Sequence, residues 1–398
     1  MRRDAALGSQ SFNFATISSA NFTATAEVAR GDRRGEKVNK GGRRAGYVQR
    51  AGEKAERRGG PPGVRCRGGR LQTGGGGLGR AAHHRRRARG VMFIDLHEDI
   101  AHYFLTSLSP QPFDVDAEGR QSDLPKLRRA GADLVVAAVF PFVNSYSGWS
   151  PNLQLALEGF KVYYSLSDAH GVKIVEGRGD LAAPGLKLLV SLEGADVLSS
   201  VDDLRLFFRL GLRALGLTWN LGNKWGGSCC GGRDRGLSEE GYGLVEAAQR
   251  MGVLVDLAHA GERTALDALD VARRPVVVSH ANAAAVHNHR RNVGDEVLKR
   301  LRDVGGVIGL TFIPSTISAD PTPRDLAKHA RYIRDKFGAE VLAVGTDYLG
   351  ISTAPRGLES VDKISRLAEA LREAGFSREE VEAVMWANAA RVLREALP

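Results

Sequence analysis

With 398 residues, 43% of them hydrophobic, the chain is long enough for one large domain or two smaller ones. The net charge of +10 suggests nucleic acid, but residues 1–90 hold 21 Lys+Arg against 6 Asp+Glu, leaving 35 basic and 40 acidic residues in the remainder. The basic excess therefore belongs to the first ninety residues, and the body carries no general affinity for polyanions.

Residues 1–90 also hold 18 of the 48 glycines, and their apolar residues are too sparse and unpatterned to offset the entropy of ordering. The segment is expected to be disordered. Three readings of it stand side by side: an Arg/Gly-rich arm that binds RNA through phosphate contacts, an Arg-rich transit peptide, or translated upstream DNA, with the natural start at Met92.

From Val91 the texture changes to short apolar runs alternating with amphipathic segments. Strands are expected at 91–95 (VMFID), 133–140 (DLVVAAVF), 187–193 (KLLVSLE) and 213–219 (RALGLTW). Four more follow at 252–258 (GVLVDLA), 275–280 (PVVVSH), 306–312 (GVIGLTF) and 341–347 (VLAVGTD). Unalternating runs of this length indicate strands buried on both faces, as in a parallel sheet. Ser238 and Gly252 bracket one helix, Asp295 is expected to cap EVLKRLRDV, and Ser377 with Glu380 forms a capping-box pattern before the final helix. Eight strands alternating with helices over 91–398 predict a (β/α)8 barrel. The GxGxxG turn of an open dinucleotide-binding sheet is replaced by DLHED.

The cysteines, Cys66 and the adjacent Cys229 and Cys230, allow neither a disulfide framework nor a CxxC metal knuckle, which fits a reducing cytoplasm. No run of about 18 apolar residues predicts a membrane span.

Barrel enzymes carry their chemistry at the C-terminal ends of the strands. The first strand ends with His97 and Asp99, whose spacing in an extended segment places both on one side. The third ends at Glu193, the fifth reaches His259, the sixth His280 and the eighth Asp347. Each alone has an ordinary explanation, a solvated carboxylate or a hydrogen-bonded imidazole. Together, at the ends of five of the eight strands, they form a set suited to a divalent ion such as zinc.

The segments DLHEDI, SLEGAD, RALGLTWN, VDLAHAGE, VVVSHANAAAVHNHRRNVGDEVL and AVGTDYLG, in this order, resemble the membrane dipeptidase family of zinc peptidases over 92–394, and QSDLPKLRRAGAD adds to the match. The resemblance implies two zinc ions per subunit, with His97 and Asp99 on one, His259 and His280 on the other, and Glu193 between them. It implies hydrolysis of dipeptides by a hydroxide bridging the ions, Asp347 as the acid/base, Arg291 as the clamp for the substrate carboxylate, and a homodimer. Trp219 stands where the better-known animal enzymes carry a His, and is read as a wall of the substrate pocket. The usual DFDG is replaced by Asp347-Tyr348-Leu349-Gly350. Two rivals are an amidohydrolase of the same fold acting on another amide, an N-acyl amino acid or a lactone, and an RNA-binding protein acting through the basic arm.

Overall fold

The computed structural model describes residues 91–141 and 153–398; the expectations for residues 1–90 lie outside the described residues. Nine parallel strands form: β1 (Phe93–Glu98), β2 (Ala132–Val139), β3 (Lys173–Ile174), β4 (Lys187–Leu192), β5 (Ala214–Gly216), β6 (Leu254–Asp256), β7 (Val277–Ala281), β8 (Val307–Leu310) and β9 (Leu342–Val344). Their order runs β2-β1-β9-β8-β7-β6-β5-β4, and β2 pairs again with β4, so eight strands close into a barrel. The two-residue β3 pairs only with β4 and stands outside the ring.

All eight expected strands are present, several shorter than their apolar runs: β5 keeps three residues of 213–219 and β9 three of 341–347. The residues after these shortened strands leave the ladder as loops over the mouth of the barrel.

Side chains on the two faces of the strands enter different clusters. Val135, Val190, Val255 and Ile308 pack outward among the helices. Ile94, Leu134, Leu189, Leu254, Val277 and Val307 face a second cluster that includes Val392, Leu393 and Leu397. The helix Asn388–Ala396 therefore closes the end of the barrel where the strands begin, and Asn388 Nδ2 donates to the carbonyls of Ala339 and Leu342.

Helix ends follow local chemistry. Ser238 Oγ accepts from Gly241 N at 2.9 Å, and Gly252 ends the same helix at φ 74°, a conformation that glycine adopts at little cost. The Ser377–Glu380 capping box forms, although the run it opens passes through a π-helical stretch, Ala383–Ala387. Asp295 is not a cap. Gly294 holds that position, and the Asp295 carboxylate instead accepts from Tyr332 Oη and pairs with Lys336.

Candidate metal centre

The mouth of the barrel is organised by two buried aspartates. Asp95 on β1 accepts from His97 N at 3.2 Å, Thr346 N at 2.9 Å and Thr346 Oγ1 at 2.7 Å, which ties β1 to β9 across 251 residues of sequence. Asp256 on β6 accepts from Ala258 N and Ser279 N, both at 2.9 Å, and so joins β6 to β7. β1 also slips register against β2 between Asp95 and Glu98, an irregularity of the kind that re-aims side chains beside functional sites.

Upon this frame the six expected residues converge. His97 Nε2 lies 3.5 Å from Asp99 Oδ2 and 3.7 Å from both Glu193 Oε1 and Asp347 Oδ1. Glu193 Oε1 lies 3.0 Å from His259 Nε2 and 3.7 Å from His280 Nε2, so this one oxygen stands among all three imidazoles. The His259 and His280 Nε2 atoms are 3.0 Å apart, and the His97 and His280 ring centroids 3.9 Å apart. Asp347 groups with His97 and Asp99, whereas Glu193 groups with His97 and His280. All six residues are buried.

Local backbone geometry contributes to the aim. Among the described residues, three non-glycine residues have positive φ: His259 (64°), Asp347 (65°) and Leu349 (70°). Two of them belong to the cluster, and such conformations, about 1–3 kcal/mol above relaxed backbone, persist where the surroundings enforce them. Gly350 serves a different need. A Cβ there would run into the Asp99 carboxylate, so the loop after β9 can lie against the site only with glycine at that point.

The two halves are supported unequally. His259 Nδ1 meets Asn220 Oδ1 at 2.9 Å and His280 Nδ1 meets Ser279 Oγ at 2.8 Å, contacts that set ring orientation and direct each Nε2 into the site. His97 has no hydrogen-bond partner on either ring nitrogen, and Asp99 Oδ1 is likewise unpartnered, although all three atoms are buried. Such orphaned groups are costly without a ligand.

The charges lead to the same conclusion. Burial pushes the Glu193 carboxyl well above the usual range, with Asp99 adding to the effect, and raises Asp347 to about 8 for the same reasons. His259 and His280 are driven well down by burial, assisted by Arg291 and His97 respectively. For His97 burial acts downward, but the charges of Glu193, Asp99 and Asp347 prevail and lift it to about 10. Glu193 and Asp347 therefore tend to hold protons and His97 a positive charge, while His259 and His280 stay neutral. Divalent cations would favour anionic Glu193 and Asp347 and a neutral His97, the protonation states that ligation requires. The residue set therefore fits metal.

At the rim, Arg291 Nη2 lies 3.0 Å from His259 Nε2 and 3.4 Å from the His280 carbonyl. Trp219 is half-buried, with its ring centroid 4.5 Å from that of Phe140 and 6.1 Å from that of His259, so it walls one side of the opening. Sequence reasoning overlooked Asp95, Asp256, Asn220, Ser279 and Phe140. The aspartates carried a readable signal, since each is a charged residue within an apolar strand run. Phe140 closes the expected second strand and Asn220 follows Trp219, but only tertiary placement shows that either meets the site.

The family model described as Membrane dipeptidase (Peptidase family M19) matches residues 82–397. Among curated proteins, the dipeptidase tcpJ of Claviceps purpurea is 37% identical over 214 residues, covering 52% of this chain and 50% of its own. An uncharacterized dipeptidase of Schizosaccharomyces pombe is 36% identical over 222 residues, covering 52% and 53%. The match thus spans about half the length of these curated relatives. Among solved structures, a metallopeptidase from Rhodobacter sphaeroides, liganded with a phosphinate mimic of the dipeptide L-Ala-D-Ala, superposes with a TM-score of 0.69 at 23% identity, covering 77% of this chain and 99% of that one. This last likeness shows the shared fold. By the family match across the whole barrel, the chain belongs to the membrane dipeptidase family of peptidases.

Proposed function

We propose that the protein is a metal-dependent dipeptidase, and the observation that carries this reading is the convergence of His97, Asp99, Glu193, His259, His280 and Asp347 at one buried point with Arg291 at its edge. In this reading His97 and Asp99 would hold one zinc ion, His259 and His280 would hold a second, and Glu193 would contribute to both. When bound, such ions acidify water to give hydroxide near neutral pH and polarise the scissile carbonyl.

The chain's own residues do the rest. Arg291 receives the substrate's C-terminal carboxylate, for which its planar fork of donors is suited. That contact fixes the distance from the carboxylate to the scissile bond and so favours dipeptides over longer chains. Asp347 takes the proton of the attacking water and delivers it to the amine nitrogen as the C–N bond breaks. Trp219 and Phe140 offer an aromatic wall to a substrate side chain.

The test is hydrolysis of a dipeptide panel by zinc-reconstituted protein, alongside the same dipeptides amidated at the C-terminus. Cleavage of the free acids and loss of cleavage on amidation is the expected result. Cleavage only of N-acyl amino acids, cyclic amides or lactones would replace the dipeptide assignment with that of a related amidohydrolase. The reading extends to a reducing cytoplasm as the compartment and a homodimer as the assembly, which fractionation and light scattering test. Among the described residues, no helix is long and apolar enough to cross a membrane.

A further inference from the structure

Two thiols beside the site have no part in this chemistry. Cys229 and Cys230 are adjacent, partly exposed and free, and their sulfurs stand 2.6 Å apart, closer than non-bonded sulfurs normally rest. Their loop is fastened to the rim at three points. Cys229 N donates to the His259 carbonyl at 2.8 Å, Ser228 Oγ to the Trp219 carbonyl at 2.6 Å, and Arg290 Nη1 to the Cys230 carbonyl at 3.2 Å. The Arg291 guanidinium lies against the Cys229 thiol.

We propose that Cys229 and Cys230 form an oxidisable dithiol, a modification site for low-molecular-weight disulfides of the glutathione type, whose closure loosens the hold of Arg291 on substrate. The effect on substrate rests on the dipeptidase reading; the closure itself does not. The Cys229 thiolate attacks one sulfur of the small disulfide, forming a mixed disulfide and expelling one thiolate. Cys230 then attacks the Cys229 sulfur, the Cys229–Cys230 bond forms and the second small thiol leaves. The two cysteines are oxidised, the small disulfide is reduced to two thiols, and the two cysteine protons pass to these products.

Closure makes an eight-membered ring that contains the Cys229–Cys230 peptide. The ring cannot keep that peptide in its relaxed planar trans form together with the torsions a disulfide requires. Closure strains the bonds from Cys229 N to His259 and from Arg290 to Cys230, and the Arg290–Arg291 segment loses one of the contacts that position it. Because Arg291 binds substrate and takes no part in the proton transfers, the change appears in KM rather than kcat.

The experiment treats the full, metal-loaded chain with oxidised glutathione and follows two readouts. The first is the mass of the tryptic fragment 225–233, which contains both cysteines; it should fall by two hydrogens and recover with a reductant. A fragment that keeps two alkylatable thiols, or stops at a glutathione adduct, would overturn the proposal. The second is dipeptide hydrolysis: loss of about one charge-assisted contact should raise KM about tenfold with kcat nearly unchanged. An unchanged KM, or loss of bound metal, would sever the link to Arg291. In C229S/C230S the response to glutathione disulfide should vanish, and its survival would refute the assignment. Should that variant fail to fold, C230S serves, since its Cys229 should retain a stable glutathione adduct without closing. Protein that cleaves no dipeptide even when reduced would overturn both the dipeptidase reading and the Arg291 half of this one, while the fragment mass still decides closure.

Discussion

Where the strands begin, Ile94, Leu134, Leu189 and Val277 meet Val392, Leu393 and Leu397 of the closing helix, and the buried polar groups there find partners: the Asn388 amide two carbonyls, and Lys187 Nζ the Asp133 carboxylate and the carbonyls of Ala183 and Gly185. Where the same strands end, six buried ionisable residues crowd one point, two of them with left-handed backbone, and His97 has no hydrogen bond on either ring nitrogen. One end satisfies its groups with one another; the other leaves the His97 ring nitrogens and Asp99 Oδ1 without a hydrogen-bond partner. The comparison places stability at the floor of the barrel and chemistry at its mouth, the division expected of this architecture.

The sharpest way to break that division is at Asp347. Asp347→Ala should lower kcat by about 10²–10⁴-fold while zinc content by mass spectrometry stays at the wild-type value. Loss of zinc in that variant would make Asp347 a ligand instead of the proton carrier, consistent with its grouping with His97 and Asp99. At the floor, Leu393→Ala removes a fully buried side chain and should cost about 2–5 kcal/mol in denaturant unfolding, with KM for a dipeptide unaltered. A changed KM would mean that the two ends are coupled.

Asn220→Ala probes the support within the mouth. By releasing the His259 ring it should weaken zinc binding by about 10–100-fold in competition with a chelator. Undiminished affinity would show that the backbone alone aims His259. The smallest effect is expected at Ser377→Ala, far from the mouth, where loss of the capping box should cost about 1 kcal/mol of stability and leave zinc affinity untouched.

The mouth was more legible in the sequence than the comparison might suggest. His97, Glu193, His259, His280 and Asp347 stand out because each is a polar residue placed where an apolar run stops, and a parallel barrel brings such positions together. What supports them was less visible. Asp95 and Asp256 look like interruptions of their strands until the neighbouring strand supplies Thr346 and Ser279. Asn220 and Phe140 are ordinary loop and strand-end residues in sequence. Asp295 had the residue type and position of a cap, yet Lys336 and Tyr332 from a neighbouring helix claimed its carboxylate. The π-helical stretch also left no mark in the apolar pattern, since a single widened turn moves few side chains from one face to another.

The bond set from Asp95 to Thr346 bears on how the molecule is made. β1 and β9 are the first and last strands of the ring, and this junction joins partners 251 residues apart. Contacts of that sequence separation form late, because the entropy of closing so long a loop must be overcome before they stabilise anything. His97 and Asp347 lie on opposite sides of the junction, so the site cannot exist in any partly folded chain whose β1–β9 junction is still open. During refolding, recovery of zinc binding should therefore lag behind recovery of helical signal, and the interval between them measures the time the ring takes to close.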